Sequence, residues 1–361
     1  MNSSQLLEHG GPDGGPAIAW DFSTNANPLP APPGVHKALA EADRRHYPDP
    51  HYTALRAALA RHWHTDPAWV LPTAGSSEAI RRLTLAASLQ DVREVWVPEP
   101  GYGDYRAAAS ALGLRVHAYG DAAALLHALQ TSEQPTLLWL CEPCNPTGMS
   151  LPTSFWRALA GIMAVHPKLI VALDRAYEPL RLEGTDPVPG DVAGRCWQLW
   201  SPNKALGLTG IRAGALQAPV HAAQTLLPAM LNLVPSWVLS AEGVALWHAW
   251  CDETTQTWLA QSRATLLAWR GEQQHQLAAV GWQCQASVTP FFLARPSQAV
   301  VDDAVSRRTW LQALRAHGIK LRDTASMGLP GWLRLSTQPF EARQALQHAL
   351  AHAATGWKDA A

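Results

Sequence analysis

The sequence predicts an α/β protein with a mostly parallel sheet of seven strands, followed by a smaller α+β region. Short apolar runs alternate with helical stretches from Val70 to about residue 235, which is typical of parallel strands covered by helices on both faces. This alternation ends after Pro235, where a long helical stretch begins. Hydrophobic residues make up 47% of the 361 residues, so the chain can bury a large core and is not a disordered protein.

The first part of the chain gives a definite order of elements. Residues 10–34 are rich in glycine and proline, which predicts an extended arm with one short strand at 17–22. Helices are predicted at 35–43 and 52–63, and further helices between the strands at 77–88, 105–112 and 152–165. The seven predicted strands lie at 69–72, 94–97, 115–118, 136–141, 169–173, 196–200 and 213–217.

The last part of the chain has a different pattern. The predicted elements are a helical stretch at 240–279, a helix at 300–317, short strands at 319–322 and 332–336, and a helix at 340–354. We therefore expect a large domain at 35–235, a small domain at 236–361, and an N-terminal arm at 1–34 that packs on the small domain.

The charge balance and the absence of targeting segments exclude several classes of protein. The 28 Lys and Arg against 29 Asp and Glu give a net charge of −1, so there is no electrostatic footprint for nucleic acid or for an anionic membrane. No run of 18 apolar residues occurs, which argues against a transmembrane helix. The first residues lack the basic and apolar segments of a signal peptide, and five cysteines are an odd count that suits a reducing compartment. We therefore expect a cytoplasmic protein.

Ligands of parallel sheets bind in the loops at the carboxyl ends of the strands, and the first two such loops carry suitable residues. Gly75, Ser76 and Ser77 lie where a helix begins, so their N–H groups and hydroxyls suit a phosphate; the alternative is that the serines only cap the helix. Tyr102 lies between two glycines, either to stack on a planar ring or as part of a surface turn.

The third loop holds two competing candidates. Cys141 and Cys144 have the spacing of a redox pair or of half a zinc site, but the sequence has no second pair of this kind to complete such a site. The alternative is that Asn145, held rigid by the proline after it, points its amide into the cleft.

The last two loops carry opposite charges. Asp174 ends a buried apolar strand, where a carboxylate needs a positive partner such as a cation or a protonated ring nitrogen. Lys204 lies in an apolar, glycine-rich stretch, where loss of solvation lowers the pKa of an amine and makes it a nucleophile; the alternative is a solvated loop lysine.

The order and spacing of these residues resemble one family. Asn-Pro-Thr-Gly at 145–148 is followed by Asp-x-x-Tyr at 174–177, Ser-x-x-Lys at 201–204 and Gly-x-Arg at 210–212. The series resembles the fold-type I pyridoxal-phosphate enzymes of the aminotransferase class I/II group, over nearly the whole chain. This resemblance implies the fold-type I architecture, pyridoxal phosphate as cofactor, a small-molecule substrate and a homodimer.

The resemblance also implies roles for the central residues. Lys204 would hold the cofactor as a Schiff base and later move protons, and Asp174 would pair with the pyridinium nitrogen. Tyr177 and Asn145 would hydrogen-bond the phenolic oxygen of the cofactor, and Tyr102 would stack on its ring. Asn145 would in addition contact the substrate carboxylate.

Other residues would bind the anionic groups. The resemblance implies that the cofactor phosphate rests on Ser76 and Ser77, in the turn that Gly75 begins, and is enclosed by Ser201 and Arg212. Arg334 would bind the substrate carboxylate, because its planar guanidinium matches the two oxygens.

Two further stretches, at 22–30 and 45–52, resemble the histidinol-phosphate aminotransferase branch of the group. In that branch the tyrosine before Pro-Asp or Pro-Glu, here Tyr47, reaches the cofactor phosphate of the neighbouring subunit. We also expect Asn27, in the first stretch, to contact the substrate.

The segment Leu-Glu-His-Gly-Gly at 7–11 is similar to threonine-phosphate decarboxylases of cobalamin biosynthesis, as are the stretches at 321–323 and 328–331. His9 and Arg322 are then candidates for binding a substrate phosphate; the alternatives are a surface histidine and a structural ion pair. We therefore expect decarboxylation of threonine phosphate to aminopropanol phosphate. The alternative is transamination of the histidinol-phosphate type with 2-oxoglutarate, and a remote alternative is a redox or zinc-binding protein.

Overall fold

The computed structural model describes residues 9–224, 226–296 and 304–358. Leu7 and Glu8 of the Leu-Glu-His-Gly-Gly segment, and the first residues of the helix predicted at 300–317, lie outside the described residues. In chain order the strands are β1 (Trp20–Asp21), β2 (Val70–Thr73), β3 (Glu94–Pro98), β4 (Arg115–Tyr119), β5 (Thr136–Cys141), β6 (Leu169–Asp174), β7 (Trp197–Trp200), β8 (Gly214–Gln217), β9 (Gln283–Cys284), β10 (Phe291–Arg295), β11 (Ile319–Lys320), β12 (Arg322–Asp323) and β13 (Leu333–Ser336).

The helices alternate with these strands in the first part of the chain and dominate the second part. In chain order they are α1 (Pro33–Ala40), α2 (Thr53–Trp63), α3 (Ser76–Ser88), α4 (Gly103–Ala111), α5 (Ala122–Thr131), α6 (Thr153–Val165), α7 (Gly190–Ala193), α8 (Leu226–Asn232), α9 (Ala241–Cys251), α10 (Glu253–Ala279), α11 (Ala304–Ala316) and α12 (Phe340–Lys358). None of the helices in the described part of the chain has the length and apolarity needed to cross a membrane.

Within the described residues, β2 to β8 form one large sheet in the order β2-β8-β7-β6-β5-β3-β4. β8 is antiparallel to both of its neighbours, and the other pairs are parallel. Each of the seven predicted strands is present, with ends shifted by no more than one residue. The prediction of a mostly parallel α/β sheet is therefore confirmed.

Helices cover both faces of this sheet, which explains why its central strands are apolar along their whole length. In β5, Leu137 and Trp139 belong to the cluster that includes α3 and α4, whereas Leu138 and Leu140 belong to the cluster with α5 and α6. The alternation of side chains along a strand thus buries every residue of β5 against one helical layer or the other.

The C-terminal part of the chain forms a second sheet in the order β12-β13-β10-β9, with antiparallel pairs. The N-terminal arm lies against this part, because β1 pairs in parallel with β11 and Phe22 enters the same apolar cluster as Phe292. Asp13 adds ion pairs to Arg315 at 3.0 Å and to Lys320 at 2.7 Å.

The helical stretch predicted at 240–279 consists of two helices. Asp252, between α9 and α10, has an extended backbone with φ −69° and ψ 136°. An extended residue cannot continue the i to i−4 hydrogen bonds of a helix, so the stretch is divided there. Its apolar periodicity spans the break, and for this reason the sequence pattern alone did not show it.

Candidate active site

The carboxyl ends of the parallel strands meet at one edge of the large sheet. β2 ends at Thr73, β3 at Pro98, β5 at Cys141, β6 at Asp174 and β7 at Trp200. Two cavities, each of about 140 Å³, lie beside this edge. We name one the aspartate cavity, because Asp174 lines it, and the other the arginine cavity, because Arg322 and Arg334 line it.

The two cavities adjoin each other, since Tyr102, Asn145, Tyr177, Lys204 and Thr209 line both. The aspartate cavity is further lined by Ser76, Ser77, Tyr105, Cys141, Asp174, Ala176, Asn203 and Arg212. The arginine cavity is further lined by His9, Gly10, Ser23, Thr24, Asn25, Gly103, Arg322, Ser326, Met327 and Arg334.

Asp174 and Lys204 place an acidic and a basic group in the aspartate cavity. Asp174 is 4% exposed, and its Oδ1 and Oδ2 accept hydrogen bonds from the N–H of Ala176 at 3.0 Å and the hydroxyl of Tyr105 at 2.7 Å. Burial raises the pKa of the Asp174 carboxyl, and the charge of Lys204 and the Tyr105 hydrogen bond oppose this rise. Burial also lowers the pKa of the Lys204 amine, which favours its neutral, nucleophilic form.

Two tyrosines border the space around the amine. The Nζ of Lys204 lies 5.5 Å from the centre of the Tyr177 ring, which packs edge-on against Phe291. Burial raises the pKa of Tyr177, so its phenol keeps the proton and can donate a hydrogen bond. Tyr102 is partly buried and lines both cavities, so it is a wall of the site and not an exposed turn.

A candidate anion site lies at the start of α3. Gly75 has φ +92°, a backbone conformation that favours glycine, and the guanidinium of Arg212 packs directly against it. The hydroxyl of Ser76 is buried and has no hydrogen-bond partner among the described residues. The N-terminal end of α3, this hydroxyl and Arg212 together suit a phosphate.

The other two serines predicted for this site have their hydroxyls engaged. The Oγ of Ser77 donates to Oδ2 of Asp104, which also accepts from the Tyr102 hydroxyl at 2.9 Å. The Oγ of Ser201 donates to Oδ1 of Asn203 at 2.5 Å, and Ser201 does not line the aspartate cavity. Neither arrangement could be anticipated from the sequence, since the motifs do not show which side chains these two hydroxyls meet.

Arg334 is one of two buried arginines that line the arginine cavity. Its Nη1 donates to Oδ1 of Asn145 at 2.5 Å, and its Nη2 donates to the carbonyl of Ser23 at 2.7 Å. Burial lowers the pKa of Arg334 to about 10, and the charge of Arg322 adds to this effect. A carboxylate in the cavity would be a fitting counter-ion for a buried guanidinium.

Arg322 faces the same cavity because of strand register, since it pairs with Arg334 across β12 and β13. Its guanidinium, 1% exposed, donates to the carbonyl of Asp323 at 2.7 Å and to the hydroxyl of Ser326 at 2.9 Å. His9 is exposed and its ring lies 6.2 Å from that of Tyr102. The fold thus brings His9, Arg322 and Arg334, distant in sequence, to one cavity.

Asn27, predicted to contact the substrate, lines neither cavity. Its Nδ2 donates to the carbonyl of Ala205 and to the hydroxyl of Ser262, and its Oδ1 accepts from the N–H of Leu29. Asn25 lines the arginine cavity instead: it is 6% exposed and both polar atoms of its amide lack a partner among the described residues. The amide of Asn27 is thus engaged within the fold, whereas the amide of Asn25 faces the arginine cavity.

Tyr47 is 75% exposed, lines neither cavity and stacks on Trp237 with ring centres 4.1 Å apart. The predicted contact with a cofactor phosphate is therefore not made within one chain.

Cys141 and Cys144 are free thiols. Cys141 lines the aspartate cavity, and no group of three or more His, Cys, Asp or Glu side chains able to hold a metal occurs in the part of the chain that the structure describes. The pair thus lacks the additional ligands of a zinc site there.

Comparison with known proteins identifies one family and several relatives. The profile of the family described as aminotransferase class I and II matches residues 18–352. The chain is 28% identical to histidinol-phosphate aminotransferase 1 of Bradyrhizobium diazoefficiens over 87% of each chain. It is 30% identical to threonine-phosphate decarboxylase of Salmonella typhimurium over 68% of this chain and 69% of that protein.

The fold is also that of solved structures. Histidinol-phosphate aminotransferase from Sinorhizobium meliloti, in complex with pyridoxal-5'-phosphate, superposes with a TM-score of 0.78 and 23% identity, covering 94% of this chain and 92% of that one. Other histidinol-phosphate aminotransferases match the sequence at 29–30% identity.

Proposed function

This chain belongs to the aminotransferase class I and II family, and from this premise we propose that it transfers an amino group between a small phosphorylated amine of the histidinol-phosphate type and a 2-oxo acid. It is an enzyme that depends on pyridoxal phosphate. Most of its relatives carry the name histidinol-phosphate aminotransferase, so the alternative stated from the sequence is better supported than the first expectation of decarboxylation.

The residues of the aspartate cavity fit pyridoxal phosphate. The unpartnered hydroxyl of Ser76, the N-terminus of α3 and Arg212 would hold the phosphate. Lys204 would hold the cofactor covalently, and the buried carboxylate of Asp174 would pair with the protonated ring nitrogen. When bound, the cofactor acts as an electron sink that weakens a bond at the α-carbon of the substrate.

Residues of the chain itself would move the proton and orient the cofactor. The lowered pKa of Lys204 leaves its amine able to take a proton from the substrate carbon and to return it elsewhere. Tyr177 keeps its proton and would orient the cofactor by donating a hydrogen bond, and Tyr102, which lines both cavities, would border the cofactor.

The observation that carries the proposal is the pair of buried guanidiniums beside Lys204. Arg322 and Arg334 face one cavity and belong to adjacent strands. Two cations suit an aminotransferase, because the amine donor brings a phosphate and the acceptor brings carboxylates to the same space in turn.

A second candidate, threonine-phosphate decarboxylase, is favoured by one observation. His9, in the segment similar to those enzymes, lines the arginine cavity together with both arginines. Threonine phosphate carries a carboxylate and a phosphate at once, so a single molecule would engage Arg334 through one group and His9 with Arg322 through the other.

The test compares both reactions on the purified holoenzyme. Histidinol phosphate with 2-oxoglutarate is expected to give glutamate, and threonine phosphate is expected to release little CO₂. Lys204→Ala serves as the control for uncatalysed chemistry. CO₂ release from threonine phosphate without glutamate formation from histidinol phosphate would overturn the proposal in favour of the second candidate.

A further inference from the structure

Tyr105 is a buried phenol that the proposed function leaves without a role. It lies in the first turn of α4 and is 0% exposed. Its ring stacks on Trp139 with centres 5.0 Å apart and planes 16° apart, and Tyr102 packs edge-on against it at 5.7 Å. These contacts fix the orientation of the Tyr105 ring and therefore the position of its hydroxyl.

The Tyr105 hydroxyl binds the carboxylate of Asp174. The Tyr105 hydroxyl donates to Oδ2 at 2.7 Å, while the N–H of Ala176 donates to Oδ1 at 3.0 Å. Each oxygen therefore receives one hydrogen bond, which fixes the plane of the carboxylate at the end of β6. Burial raises the pKa of the Asp174 carboxyl, and the Tyr105 hydrogen bond is one of the interactions that lower this pKa.

We infer that Tyr105 is a positioning residue that holds Asp174 ionised and in a single orientation, so that this carboxylate keeps a proton on the ring nitrogen of the cofactor. The inference rests on the proposed place of Asp174 opposite that nitrogen. Tyr105 itself neither gains nor loses a proton in this role.

The proton balance follows from the competition between two bases. With the Tyr105 hydrogen bond in place, the shared proton resides on the ring nitrogen and the negative charge on Asp174. Without that bond the carboxylate is a stronger base, and the proton moves from the nitrogen to the carboxyl. The charge that makes the ring an electron sink is then lost.

The experiment measures this proton directly. Holoenzyme is loaded with pyridoxal phosphate labelled with ¹⁵N in the ring, and the ¹⁵N chemical shift is recorded against pH for the wild type and Tyr105→Phe. We expect the ratio of protonated to unprotonated nitrogen at neutral pH to fall by about tenfold or more, the scale of one hydrogen bond to a charged group.

Tyr119→Phe is a matched control. The Tyr119 hydroxyl donates to the carbonyl of Trp139 at 2.7 Å, so this variant also loses a phenolic hydrogen bond, on a nearby strand, without touching Asp174. Its ¹⁵N shift is expected to equal that of the wild type. An equal shift in both variants, or none in Tyr105→Phe, would refute the role of Tyr105.

Two further variants distinguish the role of Tyr105 from the proposed place of Asp174. Replacement of Tyr105 by 3-fluorotyrosine keeps the ring and makes the hydroxyl a stronger donor, so the ratio of protonated to unprotonated ring nitrogen should rise. This measurement tests the role of Tyr105 even if Tyr105→Phe fails to fold. Asp174→Asn should abolish the stabilisation of the protonated nitrogen. If Asp174→Asn leaves the ¹⁵N shift unchanged, the proposed place of Asp174 is wrong, independently of Tyr105.

Discussion

At the scale of single residues, Lys204 has the most demanding requirement, since its amine must be neutral while it lies near a buried carboxylate. Burial lowers its pKa and Asp174 opposes this. We expect Lys204→Ala to abolish turnover while the protein still binds pyridoxal phosphate non-covalently. Borohydride reduction of the wild type followed by peptide mapping should find the pyridoxyl group on Lys204. A label on Lys37, Lys168 or Lys320 would contradict the assignment of the site.

Arg322 is the residue that we expect to bind the phosphate of the substrate. Arg322→Ala removes a charge-assisted contact and is expected to cost about 2–4 kcal/mol in kcat/KM. Arg307→Ala is the control, because Arg307 is also buried and binds Asp323 at 2.8 Å but lines neither cavity. Equal losses of kcat/KM in the two variants would indicate a structural role for Arg322 as well.

At the scale of elements, the arm before β1 is held to the C-terminal sheet by Asp13. The hydrogen bond with Lys320 is the main cause that lowers the pKa of Asp13 from 3.8 to about 2. A lowered pKa means that the contact stabilises the folded protein above about pH 4 and is lost as the pH falls towards 2.

We therefore expect Asp13→Asn to raise the KM for the phosphorylated substrate, because the arm carries His9 to the arginine cavity. Proteolysis within residues 9–18 should also become faster at neutral pH, and a small loss of thermal stability should shrink as the pH falls below 3. Asp43→Asn is the control, since Asp43 is an exposed acid with a lowered pKa whose partner His46 lies outside the arm. A KM equal to that of the wild type would show that the arm does not govern substrate binding.

At the scale of the whole molecule, Tyr47 suggests that a second subunit completes the site. Its exposed ring stacks on Trp237, which borders a cavity of about 430 Å³ that also contains Leu231 and Val234. Exposed aromatic and aliphatic side chains grouped in this way are typical of an interface. We propose a homodimer in which each chain supplies Tyr47 to the other chain's anion site.

Mixing Tyr47→Phe and Lys204→Ala chains tests this arrangement. Each hybrid dimer would have one unmutated site, so after random exchange these sites should contribute about one quarter of the wild-type activity. Each variant unfolded and refolded alone is the control and should gain no activity. A fully active monomer in sedimentation experiments would rule out a shared site.

The sequence by itself determined the sheet and the chemical character of its loops. All seven strands of the large sheet were predicted. β5 is apolar and buried along its length, and the regular alternation of short strands with helices located the others, including the partly exposed β4. Local motifs also predicted Lys204, Asp174 and Tyr177 as site residues, because Asp174 ends β6 and the other two lie within a few residues of the end of a strand.

The tertiary structure alone decided which side chains meet. Asn25 and Asn27 lie in the same stretch at 22–30, and only the tertiary structure shows that the amide of Asn27 contacts Ala205 and Ser262 while Asn25 faces the arginine cavity. Tyr105 contacts Asp174 although 69 residues separate them in the chain. Sequence patterns report periodicity within an element, whereas such contacts depend on how distant elements pack, and for that reason the pattern of this chain could predict the fold but not these neighbours.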